Sequence, residues 1–195
     1  MGTKITLSKP SGDDSMPLDK AISARRSRRD FLPKPLTLEQ IGQLVWSAQG
    51  RQVGGRYRTA PSAGATYPLE LFVVGGDGMF HYLPAEHSLE ELAGRDVRAA
   101  LAAAAWGQKF IEEAPLTLVF AAEFSRTTTR YGRRGIRYVY MEAGHAAQNV
   151  HLQAEALGIG SVAVGAFDDA SVAKVLSLPE DLEPVYMVVV GYCRQ

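Results

Sequence analysis

The chain has 195 residues, of which 46% are hydrophobic and 22% are charged, a composition typical of a folded globular protein rather than a disordered one. Its formal net charge is zero, so the overall charge gives no reason to expect nucleic acid or an anionic membrane as a partner. A single cysteine, Cys193, excludes an internal disulfide and a metal site with several thiolates. We find neither a secretory signal nor an apolar run of the roughly 20 residues that a membrane-spanning helix needs, and we expect a cytoplasmic protein.

The first third of the chain is predicted to contain an arm, two helices and a long loop. Residues 1–17 carry Gly, Ser, Asp and Pro, and we expect them to form a loose arm before a short helix over Leu18–Ser27. Thr37 and Gln40 have the spacing of a capping box, which predicts the start of the next helix. The Gly-, Arg- and Ser-rich stretch Gln49–Pro68 lacks periodic hydrophobicity and predicts a long loop.

The middle of the chain is predicted to mix strands with short helices. Leu69–Val74 and Met79–Leu83 flank a glycine-rich turn and predict a β-hairpin. Short helical stretches are expected around Leu89–Leu92 and over Val97–Ala105. Leu116–Ala122 is apolar throughout and predicts a strand that is buried on both faces.

The last third contains the strongest predicted helix, Tyr138–Leu157, whose apolar residues follow a helical spacing. Small residues make its middle thin, which would allow another backbone to approach closely. A strand over Ser161–Val164, a helix over Ser171–Leu176 and a strand over Val185–Val190 follow. Strands and helices do not alternate regularly, so we expect one α+β domain.

Four of the fifteen arginines lie in the run Arg25-Arg26-Ser27-Arg28-Arg29, which we call the arginine segment. A guanidinium group is permanently charged and matches a phosphate through two parallel hydrogen bonds. The segment is therefore a candidate phosphate-binding site, although the run taken alone favours a solvated basic surface. No interleaved aromatic residues accompany it, which disfavours a nucleic-acid site.

Two further segments consist mainly of small residues. The 61–68 loop, Pro61-Ser62-Ala63-Gly64-Ala65-Thr66-Tyr67-Pro68, would let a flat ligand lie against its backbone. The strand end at Gly165 and Ala166 offers backbone amides without a bulky side chain nearby. Neither segment has the spacing of a dinucleotide fingerprint or a Walker loop. A Rossmann-type NAD site and a nucleoside triphosphate site are therefore both disfavoured.

The remaining polar residues give no further catalytic pattern. The four histidines lack the spacing of metal ligands, and we expect no metal. The acidic neighbours Glu112-Glu113 and Asp168-Asp169 are interpreted as helix-end and capping residues, because consecutive side chains diverge.

Taken together, these segments resemble the nitroreductase superfamily of FMN enzymes and, within it, the SagB-type dehydrogenase branch. The resemblance covers the chain from about Ala24 to Gly191. It rests on motifs in the family's order: Arg-Arg-Ser-x-Arg-x-Phe at 25–31, Arg-Thr-Ala-Pro-Ser-Ala-Gly-Ala-x-Tyr-Pro at 58–68, Tyr-Gly-x-Arg-x-x-Arg-Tyr at 131–138, Gly-His-x-x-Gln-Asn at 144–149, Ala-Leu-Gly-Ile-Gly at 156–160 and Gly-Ala-Phe-Asp at 165–168.

The resemblance implies a single domain over residues 1–195, with a three-layer α/β/α fold, a mostly antiparallel central sheet and an intertwined homodimer that holds FMN in its interface. It places Arg25 toward the FMN phosphate and Arg29 toward the polar edge of the flavin ring. The implied FMN contacts are Arg25, Arg26, Ser27, Arg29, Pro61, Ser62, Ala63, Gly64, Gly165, Ala166 and, near the C-terminus, Arg194.

The implied activity is FMN-dependent reduction of a small electron-poor acceptor, of the nitroaromatic or quinone type, by NADH or NADPH through flavin N5. Tyr131 is a candidate proton donor to the substrate. Two alternatives stay open: an azoline dehydrogenase acting on a modified peptide, and a flavin-binding or sensing protein without turnover. The residue before Tyr131 is Arg130, whereas the azoline-oxidising pattern has a lysine there, and an arginine does not readily act as a base.

Overall fold

The structure is a computed structural model that describes residues 3–11, 16–52 and 54–194. Its elements in chain order are β1 (Lys4–Thr6), α1 (Leu18–Ala24), α2 (Leu38–Gln49), β2 (Leu69–Gly75), β3 (Gly78–Leu83), β4 (Ser88–Ala93), α3 (Arg98–Ala104), α4 (Lys109–Glu113), β5 (Leu116–Ala122), α5 (Ser125–Tyr131), α6 (Arg134–Ala156), β6 (Gly160–Val164), α7 (Asp169–Leu176) and β7 (Glu183–Gly191). A single turn of 3-10 helix, Ala63–Ala65, interrupts the 61–68 loop.

The strands of the described chain form one seven-stranded sheet in the order β1-β4-β3-β2-β5-β7-β6, with antiparallel neighbours throughout. Side chains alternate between two hydrophobic clusters along β2. Leu71 and Val73 face the cluster under α2 and α6, whereas Phe72 and Val74 face the cluster that includes residues of α3 and α7. Helices therefore cover both faces of the sheet, and the predicted three-layer α/β/α fold with an antiparallel sheet is confirmed.

Local sequence signals place several elements correctly. The capping box at α2 forms as predicted, because the Gln40 amide donates to Thr37 Oγ1 at 3.3 Å and the Thr37 amide donates to Gln40 Oε1 at 3.0 Å. β5 is buried along its whole length, as its apolar sequence predicts. Asp168 caps α7 by accepting a hydrogen bond from the Ser171 amide at 2.8 Å.

Two predictions in the first half of the chain are wrong. Part of the supposedly loose arm is strand β1, which pairs with β4, while residues 12–15 lie outside the described part of the chain. The stretch Leu89–Leu92, predicted as helical, belongs to strand β4. Its two leucines are three residues apart, which fits a helix or a strand, and the pairing of β4 with both β1 and β3 decides for the strand.

The boundaries of helices α1 and α6 also differ from the prediction. Helix α1 ends at Ala24 rather than Ser27, because Ser27 pairs with Ser161 at the edge of the sheet. Helix α6 begins at Arg134 and has 23 residues, which makes it about 34 Å long. A Cβ at Gly144, in its middle, would have no atom within 4 Å, so this side of the helix is open. None of the described helices is long and apolar enough to cross a lipid bilayer.

Candidate active site

The arginine segment leaves α1 and runs beside the first residues of β6. Ser27 and Ser161 form a parallel β-bridge, and the Arg28 amide donates to the Ser161 carbonyl at 3.0 Å. The Arg28 guanidinium points inward, where Nη2 lies 3.3 Å from both carboxylate oxygens of the buried Glu155. Arg28, the arginine of the run that the resemblance did not assign to the cofactor, is thus an anchor of the segment.

The other three arginines of the segment have no carboxylate partner among the residues that the structure describes. Arg25 is half-buried, whereas Arg26 and Arg29 are exposed, and the Arg29 guanidinium lies 5.8 Å from the centre of the Phe110 ring. Burial and the positive charge of Arg25 lower the pKa of His151 to about 4. The histidine is therefore neutral at pH 7, and the positive charge at this end of the sheet comes from arginines that are free to bind an anion.

The strand end Gly165-Ala166 faces the same region. Both residues are exposed, and neither backbone amide has a hydrogen-bond acceptor in the described part of the chain. The Gln108 side-chain amide donates to the Ala166 carbonyl at 2.9 Å. Gln108 is two residues before Phe110, whose ring lies under the Arg29 guanidinium. Since β6 rises about 3.3 Å per residue, roughly 13 Å separates Gly165 from Ser161, the residue of β6 that pairs with the arginine segment. The fold therefore brings these two predicted groups onto one edge of the sheet.

Arg194 is brought to the same edge. Its amide donates to the Asp30 carbonyl at 3.1 Å, and its Nε lies 3.5 Å from Asp30 Oδ1. Both side chains are largely exposed, so this ion pair is weak and screened by solvent. The structure thus places Arg194 directly after the arginine segment, and its contact with a phosphate stays a prediction.

The 61–68 loop has an unusual backbone. Gly64, Ala65 and Tyr67 have φ angles of 61°, 55° and 48°, which lie in the left-handed region that residues with a Cβ rarely adopt. The Ser62 hydroxyl oxygen accepts a hydrogen bond from the Tyr67 amide at 2.9 Å and closes the turn. Strained backbone of this kind costs about 1–3 kcal/mol per residue and clusters at functional sites.

Helix α5, which the sequence analysis did not predict, holds this loop in place. The hydroxyls of Thr66 and Thr127 are 2.8 Å apart, and Arg126 Nη1 donates to the Tyr67 carbonyl at 3.2 Å. Arg130 Nη1 donates to the Gly64 carbonyl at 3.4 Å. The next residue, Tyr131, places its hydroxyl against Gly64, so the candidate proton donor does lie at the loop.

Glycine at position 64 is required by its neighbours as well as by its φ angle. A Cβ there would lie 2.6 Å from the Tyr131 hydroxyl and 2.8 Å from Arg130 Nη1. We expect Gly64→Ala to lower the free energy of unfolding by about 1–2 kcal/mol for the backbone alone, and to displace the Arg130 and Tyr131 side chains. The matched control is Gly158→Ala, because Gly158 has a φ of 67° and a Cβ there would have no atom within 4 Å. Equal effects of the two substitutions on substrate turnover would contradict a local role for Gly64.

A buried polar cluster supports the loop from below, and sequence reasoning missed it. Arg58 Nη1 donates to Gln49 Oε1 at 2.7 Å and to the Leu69 carbonyl at 3.1 Å, while Ser62 and Arg58 lie close enough to Glu142 to affect its pKa. Burial raises the pKa of Glu142 to about 7, against the opposing effects of Ser62 and Arg58. Glu142 Oε1 and Gln49 Nε2 are buried without a hydrogen-bond partner among the described residues. A glutamate within the apolar stripe of α6 was the available sequence signal.

One chain does not bring the loop and the arginine segment together. Glu142 of α6 lies under the loop, and Glu155 of the same helix holds Arg28 of the arginine segment. These two glutamates are 13 positions apart in the sequence, which corresponds to about 20 Å along the helix. The predicted contacts therefore fall into two groups, called half-sites below, that are separated along α6. Among the described residues, no group of three His, Cys, Asp or Glu side chains is placed to hold a metal ion.

The chain thus combines an antiparallel sheet between two helical layers with basic and small-residue half-sites that are separated along a central helix. Residues 22–192 match the family model described as Nitroreductase family. The chain belongs to the nitroreductase family, as its motifs predicted, and it is an oxidoreductase enzyme.

Individual relatives agree with this assignment. A protein of Methanocaldococcus jannaschii, provisionally named a nitroreductase, is 41% identical over 197 residues, which cover 98% of this chain and 98% of that protein. The crystal structure of a provisionally named nitroreductase from Ralstonia eutropha is 33% identical with a TM-score of 0.88, and the match covers 98% of this chain and 90% of that one.

Two more distant relatives have names that refer to particular activities. The microcin B17-processing protein McbC of Escherichia coli is 28% identical over 155 residues, which cover 74% of this chain and 56% of that protein. The FMN reductase (NAD(P)H) of Bacillus subtilis is 24% identical over 187 residues, which cover 89% of this chain and 64% of that protein.

Proposed function

We propose that this chain is an FMN-dependent oxidoreductase that uses NADH or NADPH to reduce a small electron-poor acceptor of the nitroaromatic or quinone type. The observation that carries the proposal concerns one edge of the sheet. Within the part of the chain that the structure describes, three arginines without carboxylate partners lie there near two backbone amides without acceptors. The name of the Bacillus subtilis relative supports the choice of cofactor and of reductant.

The chemistry of these groups fits FMN. Arg25, Arg26 and Ser27 supply the charged and hydroxyl donors that a phosphate accepts, and Arg194 adds a further cation nearby. Arg29 and the amides of Gly165-Ala166 supply permanent positive charge and N–H donors for the polar part of a ring. Bound FMN would supply the hydride chemistry, while these residues bind and orient it.

We further propose that the complete site forms between two copies of the chain. The 61–68 loop would close on the arginine segment of a second copy, because about 20 Å of α6 separates it from the segment of its own chain. Large hydrophobic side chains on α1 and α6 are exposed in the single chain, namely Leu18, Ile22, Ile136, Tyr140 and Met141. A symmetric dimer would cover this surface, since isologous contacts use one patch on both subunits.

The loop half-site contributes a flat surface and a proton donor. Pro61, Ser62, Ala63 and Gly64 present mostly backbone and small side chains, which would allow a planar ring to approach closely. Tyr131 places its hydroxyl at Gly64, where it would be able to donate a proton to a reduced substrate.

The proposal is tested by reconstituting the purified protein with FMN and measuring flavin absorbance, molar mass by light scattering, and anaerobic bleaching by NADH and NADPH. Reoxidation with a panel of nitroaromatics and quinones then identifies the acceptor. A monomer that stays colourless after reconstitution would overturn the proposal. Flavin that only dithionite bleaches would favour the alternative without turnover, which the family assignment disfavours.

The resemblance to the SagB-type branch leaves azoline oxidation as a second candidate, and the chain is also similar to a protein whose name refers to the processing of microcin B17. The same reconstituted protein would then convert a thiazoline-containing peptide to its thiazole, which lowers the mass by two hydrogen atoms. Arg130 argues against this candidate, because a guanidinium does not readily act as a base.

A further inference from the structure

A cleft of about 880 Å³ opens beside the 61–68 loop, and part of the loop forms one of its walls. Arg56, Arg58 and Arg130 line it, and no aspartate or glutamate is found among the described residues of its wall. The volume is sufficient for a small organic molecule. In a chain whose formal net charge is zero, the positive lining of this cleft is a local concentration of charge.

The three arginines of the cleft differ in how many of their hydrogen-bond donors are already paired within the protein. Arg58 is committed to the fold, because its guanidinium bonds Gln49 and Leu69 and burial lowers its pKa. Arg56 is exposed, lies 5.0 Å above the Tyr57 ring and has no carboxylate partner in the described part of the chain.

Arg130 is also exposed, and its one hydrogen bond is the long contact of 3.4 Å with the Gly64 carbonyl. Its charge has no carboxylate partner among the described residues. Arg56 and Arg130 therefore retain donors for a ligand that enters the cleft.

More positive charge surrounds Arg130. Arg133, Arg134 and Arg137 follow at the start of α6, all exposed and all without a carboxylate partner in the described residues. Clefts lined by one sign of charge concentrate the field and raise the local concentration of an oppositely charged molecule. The charge distribution thus favours an anionic reactant at this particular cleft.

We propose that the cleft binds the phosphate or carboxylate group of a small molecule that reacts at the proposed FMN site, and that Arg56 and Arg130 hold this group. The inference rests on the proposed function, because the loop that forms the wall is also the proposed contact of the cofactor. An arginine at position 130 suits this role, since guanidinium grips such groups through two parallel hydrogen bonds. The anion has two sources, a phosphate of the nicotinamide dinucleotide or an acidic group on the acceptor.

The test replaces both arginines, as the double variant Arg56→Gln/Arg130→Gln, and measures the two half-reactions separately. Stopped-flow reduction by NADH and NADPH addresses the nicotinamide, and reoxidation by menadione and by naphthoquinone sulfonate compares a neutral acceptor with an anionic one. We expect Kd or KM for one anionic reactant to rise roughly tenfold more than the value for menadione does. The effect should shrink at high salt, because the two arginines are exposed.

Arg95→Gln is the control for net charge, because Arg95 is exposed in the turn between β4 and α3. An unchanged Kd for the nicotinamides and for the sulfonate, or an equal loss for menadione, would overturn the assignment. Calorimetric titration of the protein with NADPH or naphthoquinone sulfonate, in the absence of turnover, measures anion binding directly. It therefore distinguishes failure of the anion site from failure of the proposed function. A protein that does not retain FMN but binds an anion through Arg56 and Arg130 would contradict the proposed function alone.

Discussion

Replacing Arg25 with alanine is expected to weaken FMN binding by roughly 10- to 100-fold, which corresponds to the 1.5–3 kcal/mol of a hydrogen bond to a charged group. Arg25 is half-buried and has no carboxylate partner among the described residues, so its charge is available for a phosphate. Fluorescence titration of the apoprotein with FMN and with riboflavin measures the effect. The loss should be confined to FMN, because riboflavin lacks the phosphate.

Arg28→Ala is the matched control within the same segment. Its guanidinium contacts Glu155, whose side chain is 7% exposed, so removal leaves a nearly buried carboxylate without a partner. We therefore expect Arg28→Ala to lower the melting temperature more than Arg25→Ala does, and to weaken FMN binding less. If Arg25→Ala lowers the affinity for FMN and riboflavin equally, the phosphate contact is wrong.

Replacing Glu142 with glutamine is expected to stabilise the protein at pH 8 by up to about 3 kcal/mol and to have little effect near pH 4.5. Burial raises the pKa of Glu142 from an ordinary 4.5 to about 7. A pKa that is higher in the folded state favours the protonated form, so this stability is present below pH 4.5 and is lost as the pH rises through 7. Glutamine stays neutral and avoids the loss.

The prediction is checked by urea unfolding of both proteins at several pH values between 4.5 and 8. His151 acts in the opposite sense, because its lowered pKa gives stability that is present above pH 6.5 and lost as the pH falls through 4. Both proteins contain His151, so the difference between them isolates Glu142. Glu180→Gln, which removes an exposed carboxylate, should change stability by no more than about 0.5 kcal/mol. A constant difference across the pH range would contradict the interpretation.

Local chemistry made much of the fold predictable. The capping box of α2, the apolar strand β5 and the C-terminal end of α6 are decided by neighbouring residues, and their positions agree with the structure. Strand β4 depends instead on long-range pairing. On one side it pairs with β1, whose residues are 80 or more positions away in the sequence, as in the pairing of Ile5 with Leu89. Helix α5 contains three consecutive threonines, which have weak helix propensity, so its sequence gives little indication of a helix.

The sequence yields a list of candidate site residues but not the geometry that relates them. Nothing in the run of four arginines shows that Arg28 pairs with Glu155, 127 positions later in the sequence, while its neighbours do not. The burial of Glu142 was not predicted, because a single glutamate on a helix is usually solvated. Only the tertiary structure, which places Glu142 beneath Ser62, shows that its side chain is buried. The separation of the two half-sites along α6 depends on the tertiary path of the chain.

The separation of these half-sites along α6 has a genetic consequence. In the proposed dimer, each cofactor site combines the arginine segment of one subunit with the loop of the other. Two inactive variants, one changed in each segment, would therefore restore one intact site in every mixed dimer. Random mixing makes half of the dimers mixed, so about a quarter of all sites would work again. Mutations in a single gene would then fall into two complementing groups.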